Sequence, residues 1–451
     1  MSQVVIVGAG FAGLSAARRL RERGVDDIVV LEARSRVGGR TKHGRIAGID
    51  IDLGGMWMGP TQTRLQALAD AYGIESYPTW LEGVSVVRIA GTEHQGPGED
   101  FEDLLTTADK VQYLWLERRL AGLLRHLDVE APWRHPRAAD LDSITLESWI
   151  ARHTRSPRLR SLFRFLCLSL FCAEASQVSM LFFLHYVKSG DGLEVLASAD
   201  AGGAQNFLFH GGLHAIGRAM ADELGDRLLL EQPVERIEWS DDGVAVHTTE
   251  AKHAARAAIV AIPPTLLNRI EFEPFLPQPR QRLNQRLAMG SAIKFWVAYD
   301  RPFWRDLGFN GMVMRDDVPC SPCFDVTPPG SGVGLIAGFF DADHAIDHSD
   351  AGVDRRREIV LAMLAEHFGS EALDPLDYID VDWSATRWSN GCYGNFAPPG
   401  VYADLGEWLR RPTGAIRWAG TETSPRWTGY VDGAIRSGEA AADDLVGLLA
   451  G

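Results

Sequence analysis

The most constraining feature of the sequence is a glycine-rich turn between two apolar runs at its start. Residues 4–33 read VVIVGAG, then FAGLSAARRLRERG with apolar residues at helical spacing, then DIVVLEA as a second apolar run. Gly8, Gly10 and Gly13 form the pattern G-x-G-x-x-G, and Glu32 ends the second run. This order predicts a strand, helix and strand that bind a dinucleotide. The pyrophosphate would lie on the helix N-terminus, and Glu32 would accept hydrogen bonds from a ribose diol.

Further glycine pairs indicate which dinucleotide binds. RVGGR (residues 36–40) and DLGGMW (residues 52–57) suit an extended cofactor that lies along the backbone, and WAGTET (residues 418–423) adds a late segment of the same kind. Together they favour FAD over NAD, and the charge of Glu32 disfavours the 2′-phosphate of NADP. A second nucleotide fingerprint would indicate a reductase. The only candidate, GSGVG (residues 330–334), has the wrong spacing and follows two prolines, so we predict a turn there.

Length and charge restrict the class of protein. A chain of 451 residues predicts two domains. The formal charge of −15 argues against nucleic acid or an anionic membrane as a partner and favours cationic small molecules. Apolar stretches fall short of the roughly 18 residues that span a membrane. Strand-like residues begin at Val4 and leave no room for an export signal, so we expect a cytoplasmic protein.

The five cysteines do not suggest a disulfide framework or a metal site. Cys320 and Cys323 have a metal-like spacing, but no second Cys or His pair follows at zinc-ribbon distance. We therefore predict two ordinary cysteines in a loop and no metal. His210 and His214, in FHGGLH, are predicted to be loop histidines.

The remaining periodicities predict a mixture of helices and strands. Helical patterns cover residues 106–127, 159–187 and 431–449, and strand patterns cover residues 228–248 (a hairpin broken at 241–243), 255–264, 291–299 and 333–340.

Taken together, the motifs resemble those of a known family. The fingerprint, RVGGR, DLGGMW, AIVAIPP (residues 258–264), WSNGCYGNFAPPG (residues 388–400) and RWTGYVDGAIRSGEAA (residues 426–441) are similar to those of the flavin-containing amine oxidases. The resemblance is closest to the monoamine oxidases and spans nearly the whole chain. It implies an α/β fold with a discontinuous Rossmann-like FAD-binding domain and an α+β substrate domain. The implied segments are 1–85, 205–275 and 405–451 for FAD, and 86–204 and 276–404 for the substrate.

The resemblance also assigns the late cysteine and two tyrosines. In monoamine oxidases the cysteine that matches Cys392 is bonded through sulfur to the flavin 8α-methyl group. The tyrosines that match Tyr393 and Tyr430 form an aromatic cage through which the amine approaches, and a cis peptide precedes the first of them. Asn390 stands where the mitochondrial enzymes have glycine, and soluble relatives often hold FAD without a bond. Both modes of attachment therefore stay open.

Lys294 is the third residue to which the resemblance gives a catalytic role. It lies in the apolar strand pattern SAIKFWVAYD, on the face opposite Ile293 and Phe295. The family lysine at this place holds a water against flavin N5 and assists the reaction with oxygen. The alternative is a lysine that extends its ammonium group to solvent.

The predicted site residues fall into two sets. Those expected to bind FAD are Gly8, Gly10, Phe11, Ala12, Gly13, Glu32, Ala33, Arg34, Gly39, Arg40, Gly54, Gly55, Met56, Trp57, Val234, Trp388, Cys392, Gly420, Thr421, Glu422, Tyr430 and Val431. Those expected to line the substrate cavity are Leu170, Phe171, Gln205, Phe324 and Phe339. The helix that begins at Val431 would direct its positive end at the flavin.

The resulting hypothesis is FAD-dependent oxidative deamination of a small primary or secondary amine, with dioxygen reduced to hydrogen peroxide. Three alternatives on the same scaffold stay open: a polyamine oxidase, which would need carboxylates in the cavity; an L-amino-acid oxidase, which would need an arginine; and a desaturase, which Lys294 and the two tyrosines disfavour. A flavin-binding protein that scaffolds a partner without turnover is a fourth. The sequence does not identify the amine. It also does not show whether the protein is a monomer or a homo-oligomer.

Overall fold

The computed structural model describes residues 2–98 and 101–450. Its strands are β1 (Ser2–Val7), β2 (Ile28–Leu31), β3 (His43–Ile46), β4 (Ile49–Asp52), β5 (Ser76–Pro78), β6 (Val84–Ile89), β7 (Thr92–Pro97), β8 (Phe207–Phe209), β9 (Leu228–Leu229), β10 (Val234–Trp239), β11 (Val244–Thr248), β12 (Lys252–Val260), β13 (Glu271–Glu273), β14 (Ala288–Met289), β15 (Ala292–Tyr299), β16 (Phe309–Arg315), β17 (Cys323–Asp325), β18 (Gly334–Asp341), β19 (Asp377–Asp382), β20 (Asn395–Phe396) and β21 (Ile416–Trp418).

The helices connect and cover these strands. They are α1 (Phe11–Glu22), α2 (Thr63–Ala71), α3 (Thr107–Arg125), α4 (Ala138–Asp142), α5 (Leu146–His153), α6 (Pro157–Phe171), α7 (Met180–Ser189), α8 (Leu193–Leu196), α9 (His214–Asp222), α10 (Gln278–Arg286), α11 (Phe303–Asp306), α12 (Asp343–Ser349), α13 (Gly352–Phe368), α14 (Tyr402–Leu405) and α15 (Val431–Ala450). Short 3-10 helices lie at Phe101–Leu104, Pro132–Arg134, Gly225–Arg227, Pro264–Arg269, Ser370–Leu373, Gly406–Leu409 and Thr421–Thr423.

The predicted strands at the start of the chain, β1 and β2, pair with each other in the first sheet. In the described part of the chain this sheet has eight strands, ordered β13-β10-β11-β12-β1-β2-β9, with β21 also paired to β12. β1 is parallel to both neighbours, with Val5 opposite Val29 on one side and Ala258 on the other. Parallel strands need crossover connections, and α1 supplies the one between β1 and β2.

A second sheet carries the strand that contains Lys294. Its seven strands are ordered β19-β15-β18-β17-β16-β6-β7 within the described residues. Along β15 the side chains alternate as predicted: Ile293 and Phe295 pack into one apolar cluster, and Trp296 packs into another on the opposite face. Every residue of β15 is buried, so Lys294 lies inside the protein.

The helical pattern over residues 159–187 is not one continuous helix, which corrects the prediction. α6 ends at Phe171 because Cys172 adopts a left-handed conformation with φ 50°. α7 then begins after Ser179, whose hydroxyl accepts a hydrogen bond from the Phe182 amide at 3.4 Å. An N-cap serine that satisfies a first-turn amide makes a new helix start favourable.

The two sheets can be compared with the predicted division of the chain into two domains. The strands of the first sheet fall within residues 1–85, 205–275 and 405–451, and those of the second lie outside these segments except for the start of β6 at Val84. The domain boundaries themselves stay a prediction. In the described residues, no helix combines the length and apolar character needed to cross a membrane.

Cys320 and Cys323 are both buried, and neither forms a disulfide. Cys323 begins β17 rather than lying in a loop. Burial raises the pKa of the Cys320 thiol to about 12. Over the described ranges, no group of three or more His, Cys, Asp or Glu side chains is arranged to hold a metal ion.

Candidate active site

A groove of about 570 Å³ opens where the strands β1, β2 and β12 end. This is the edge of an open parallel sheet at which nucleotides bind. The predicted residues that line it are Gly8, Gly10, Phe11, Ala12, Glu32, Ala33, Arg34, Gly39, Arg40, Gly54, Gly55, Val234, Lys294, Trp388, Cys392, Tyr393, Gly420, Thr421, Tyr430 and Val431. Residues from the start, middle and end of the chain therefore meet in one groove.

One end of the groove has the features that a dinucleotide requires. α1 begins at Phe11, its N-cap Gly10 offers no side-chain cap, and its first turn carries no acidic residue. The free amides of that turn can therefore bind an anion such as a pyrophosphate. The Glu32 carboxylate is held in place by the amides of Ala9 at 2.9 Å and Arg34 at 3.0 Å. These residues fit the pyrophosphate and ribose of FAD.

Gly39 packs closely against the fingerprint turn. Its φ is +62°, and a Cβ added there would lie 3.2 Å from the Gly10 Cα. A larger residue would therefore press against the fingerprint turn, which explains a glycine at this position.

Four of the residues predicted to contact FAD do not line the groove, and their contact with FAD stays a prediction. Gly13 lies behind it: a Cβ there would come 1.9 Å from the Gly8 carbonyl oxygen, so this glycine allows α1 to pack onto the turn. Glu422 lies behind Arg40 and pairs with its guanidinium at 2.6 Å. Met56 and Trp57 line an adjoining cavity instead.

The Arg40–Glu422 pair is buried and connected to the late loop. Burial alone would raise the pKa of Glu422, but Arg40 and the Asn395 amide hold it below its usual value. Arg40 Nη1 also donates to the Tyr393 carbonyl oxygen at 2.9 Å. One guanidinium therefore links the RVGGR segment to both C-terminal motifs.

Lys294 is 2% exposed, which contradicts the alternative that its ammonium group reaches solvent. Its Nζ donates to the carbonyl oxygens of Asp52 at 2.9 Å and Gly54 at 2.7 Å, and lies 2.9 Å from the Met56 sulfur. Burial lowers the pKa of Lys294 to about 7, although Asp52 and Cys392 oppose this. The amino group can therefore change between its charged and neutral forms near neutral pH.

The late loop places Cys392 and Tyr393 in the groove. The peptide between them is cis, as predicted from the resemblance. The Cys392 amide donates to the Gly290 carbonyl oxygen at 2.9 Å. Asn390, the departure from the family pattern, adopts φ 57°, and its side-chain oxygen accepts from Arg269 at 3.0 Å. Asparagine tolerates this left-handed conformation better than most residues, so the substitution preserves the turn.

A second cavity of about 160 Å³ adjoins the groove. The two share Gly54, Gly55, Phe339, Tyr393, Gly429, Tyr430 and Val431. The predicted wall residues Leu170, Gln205, Phe324 and Phe339 line it, together with Met56 and Trp57. Among the described residues that line this cavity, none has a charged side chain.

Phe171, the fifth predicted wall residue, does not line the second cavity. Its ring packs in the helical core, 4.5 Å from the ring of Tyr186 and 6.0 Å from that of Phe182. Leu170 precedes it directly in α6, and consecutive helical residues point about 100° apart. The two side chains therefore face different neighbours.

The sequence analysis missed two aromatic residues at the site. Tyr186 lines the second cavity, and its ring centre lies 6.0 Å from that of Tyr430. Trp383 lines the groove and donates from Nε1 to the Leu53 carbonyl oxygen at 2.9 Å. Neither residue belongs to a quoted motif, and a lone aromatic in an apolar pattern reads as core.

His214 corrects a further prediction, since it begins α9 rather than lying in a loop. It is buried, and its Nδ1 lies 2.8 Å from a carboxylate oxygen of Asp52. The same carboxylate accepts from the Leu213 and His214 amides, so it caps the start of the helix. His210 is exposed and lies in a turn, as predicted.

The chain is similar to known proteins over nearly its whole length. A family model described as flavin containing amine oxidoreductase matches residues 11–446. An L-amino acid dehydrogenase of Synechocystis is 39% identical over 455 residues, covering 99% of this chain and 95% of the relative. The flavin-containing amine oxidase A of Canis lupus familiaris is 35% identical over 457 residues, covering 100% of this chain and 86% of the relative.

Solved structures show the same fold. Cyclohexylamine oxidase from Brevibacterium oxydans superposes with a TM-score of 0.94 at 32% identity, and each chain covers 100% of the other. A putrescine oxidase bound to putrescine superposes with a TM-score of 0.93 at 29% identity, and each chain covers 99% of the other. The predicted α/β fold class is therefore confirmed.

Proposed function

The chain belongs to the flavin-containing amine oxidoreductase family, as its motifs predicted, and from this premise we propose that it oxidises a small apolar monoamine. FAD is its cofactor. When bound, FAD takes up hydride equivalents from the amine carbon at N5. In the proposed reaction dioxygen is reduced to hydrogen peroxide, and the imine is hydrolysed to an aldehyde or ketone plus ammonia.

The observation that carries the proposal is the uncharged second cavity beside the groove. A diamine or polyamine needs an acidic partner for its second ammonium group, and an amino acid needs a cation for its carboxylate. The described lining residues offer neither, and most of them are aliphatic or aromatic. Such a cavity favours a substrate with one amine and an apolar body.

Tyr393 and Tyr430 are proposed to form the aromatic cage that guides the amine. Both line the groove and the second cavity, so an amine that passes from one to the other meets both rings. The ring faces attract an amine group, and the apolar surroundings favour its neutral form. Trp427 supports Tyr430 from behind, with the ring centres 5.0 Å apart.

Lys294 and the start of α15 are proposed to act on charge that develops during the reaction. Lys294 lines the groove with a buried ammonium group that is fixed by two carbonyl oxygens, so it can stabilise negative charge on dioxygen. Val431 and Ala434 place the first turn of α15 on the groove, where the helix dipole favours an anion.

Cys392 is proposed as the site of a thioether to the flavin. Its side chain lines the groove, in the loop that the monoamine oxidase motif matches. Heating or acid precipitation of purified protein tests the attachment. Yellow colour in the pellet of the wild type but not of Cys392→Ser is the expected result, and colour in the supernatant of both proteins would contradict a bond.

Anaerobic titration of the purified protein tests the reaction itself. Benzylamine, a short alkylamine, putrescine and an L-amino acid are added in turn, and the flavin absorbance near 450 nm is followed. We expect bleaching by the monoamines and little by the other two, with colour and hydrogen peroxide appearing when air is admitted.

Other outcomes would replace the proposal. Bleaching by putrescine alone would indicate a diamine oxidase, and bleaching by the amino acid alone would agree with the Synechocystis relative. Bleaching that air does not reverse would indicate a dehydrogenase with another electron acceptor. A yellow protein that no amine bleaches would leave the non-catalytic alternative. Oligomeric state and cytoplasmic location stay predictions.

A further inference from the structure

A third cavity, of about 280 Å³, lies beside Lys294 and has no part in the function proposed so far. Its mouth is formed by the turn at residues 328–331 and by the hairpin of β3 and β4. Its inner wall includes Leu208, Trp296 and Leu335, all buried apolar or aromatic residues.

The floor of the third cavity consists of the residues that hold Lys294. Asp52 and Met56 both line it, and both contact the Lys294 Nζ at 2.9 Å. The Nζ also lies 5.2 Å from the ring centre of Trp296, which lines the third cavity, and 5.8 Å from that of Trp57, which lines the second. Lys294 therefore lies between the amine cavity, the groove and the third cavity.

Met56 is the partition between the second and third cavities, because it lines both. Its side chain is unbranched, with three rotatable bonds, so it can move aside for a small molecule without a change of backbone. A diatomic molecule needs only such a movement.

We propose that the third cavity is the access route of dioxygen to the reacting centre, with Met56 as its gate. The inference rests on the proposed oxidase function. Asp52 and Met56 line the third cavity and contact the Lys294 Nζ, so this route reaches the lysine without passing through the second cavity, where the amine binds. Dioxygen is small, neutral and apolar, so the aromatic and aliphatic inner wall accepts it, and Lys294 lies where the path ends.

Dioxygen takes up two electrons and two protons at the end of this path and leaves as hydrogen peroxide. The path and the chemistry can be measured separately, because dithionite reduces the flavin without any amine. Rapid mixing of the reduced holoenzyme with aerated buffer then gives the rate constant of reoxidation. Anaerobic mixing of the oxidised enzyme with amine gives the rate constant of reduction.

Variants that fill the third cavity and a variant that fills the second cavity distinguish the two routes for dioxygen. Ser331→Trp fills the mouth of the third cavity, with Ser331→Ala as its control, and Leu208→Phe fills the inner wall. Ala197→Leu fills the second cavity instead. We expect Ser331→Trp and Leu208→Phe to slow reoxidation about tenfold, or about 1.4 kcal/mol, without slowing reduction by amine. Ala197→Leu should slow reduction by amine and leave reoxidation of the dithionite-reduced enzyme unchanged.

Xenon gives a readout that does not depend on activity, because it occupies apolar cavities that admit small gases. Crystals of the holoenzyme under xenon pressure should show an atom between Leu208 and Leu335, and Leu208→Phe should lack it. Equal reoxidation in wild type, Ser331→Trp and Leu208→Phe would overturn the inference, as would slowing by Ala197→Leu alone. A wild type that amines bleach but dioxygen does not reoxidise would also overturn it. Failure of all amines to bleach the flavin would instead overturn the proposed function.

Discussion

At the scale of single residues, Lys294 is the side chain whose chemistry can be tested most directly. Replacing it with methionine keeps the length of the side chain and removes the charge. We expect Lys294→Met to slow reoxidation of the reduced flavin about 100-fold, the usual effect of losing a preorganised charge, and to change reduction by amine much less. Rapid mixing with dioxygen measures the first rate and anaerobic mixing with amine the second.

The pH dependence of reoxidation gives a sharper test of the same residue. Burial lowers the pKa of Lys294 to about 7, so the ammonium form that stabilises negative charge predominates below that pH. The rate constant in the wild type should therefore fall as pH rises through this range, and Lys294→Met should show no such fall. Equal pH profiles for the two proteins would exclude Lys294 as the titrating group.

Glu422 forms a buried ion pair with Arg40 whose contribution to stability can be measured. It is buried against Arg40, and its pKa lies below the usual value. We expect Glu422→Gln to lower the free energy of unfolding by about 3 kcal/mol at neutral pH, since the guanidinium loses its charged partner. Denaturation in urea at a series of pH values measures this.

The sign of the pH effect follows from the lowered pKa. A carboxylate that is more acidic in the folded protein contributes stability above its ordinary pKa of 4.5, and this is lost as pH falls through the folded value. The difference between wild type and Glu422→Gln should therefore shrink in acid. A difference that stays constant down to the acid limb would contradict the ion pair as its cause.

How far single residues could be predicted depended on whether a motif fixed them. Lys294 was placed because a period of two distinguishes the faces of a strand, and the burial of the opposite face made a charge there exceptional. Leu170 lines the second cavity and Phe171 does not, and sequence spacing alone does not show which of two adjacent helical residues faces a cavity. The patterns around His214 and Tyr186 did not indicate what either residue does, since their roles depend on contacts made in the folded chain.

At the scale of elements, the site depends on how closely α1 and α15 approach. Both helices begin at the groove, and Gly438 of α15 lies against the backbone of α1: a Cβ there would come 2.0 Å from the Ala12 carbonyl oxygen. Gly438→Ala should push the helices apart, lower the free energy of unfolding by about 2 kcal/mol and reduce the flavin content. The absorbance ratio of flavin to protein and urea denaturation measure these effects.

The same helix offers a matched control. Gly447 also lies in α15, and among the described residues no atom beyond its own stretch of helix lies within 4 Å of the position that its Cβ would take. Gly447→Ala should therefore gain helix propensity, about 1 kcal/mol, with no loss of flavin. Loss of flavin in both variants would indicate a general effect of alanine in this helix rather than close packing against α1.

Periodicity predicted most of the helices and strands, but it did not predict the break between α6 and α7. The N-terminal strand, helix and strand and the hairpin of β10 and β11 were predicted because apolar patterns and turn residues agreed. The break between α6 and α7 was not, because apolar residues continue through it. Cys172 takes a left-handed conformation that is uncommon for its residue type, so only tertiary packing explains the end of the helix.

At the scale of the whole molecule, the groove ties together segments that are distant in the chain. Its lining comes from residues 7–12, 31–41, 232–235, 383–393 and 420–434, among others. A ligand that binds only the folded form stabilises it by mass action, so FAD should stabilise the whole assembly of segments. The sequence predicted these segments one motif at a time, and their convergence was implied only by the family resemblance.

The dependence of unfolding on FAD concentration tests this convergence together with the predicted domains. In Cys392→Ser the flavin can be removed whichever way the wild type holds it. Free FAD at about 1,000 times its Kd should then raise the free energy of unfolding by about 4 kcal/mol. If the flavin-binding segments form one domain and the remainder another, the apoprotein should unfold in two transitions. FAD should then shift only the transition of the flavin-binding domain, until the two transitions coincide. A single transition that FAD does not move would mean that the groove residues are assembled independently of the cofactor, and the predicted division of the chain would lose its physical basis.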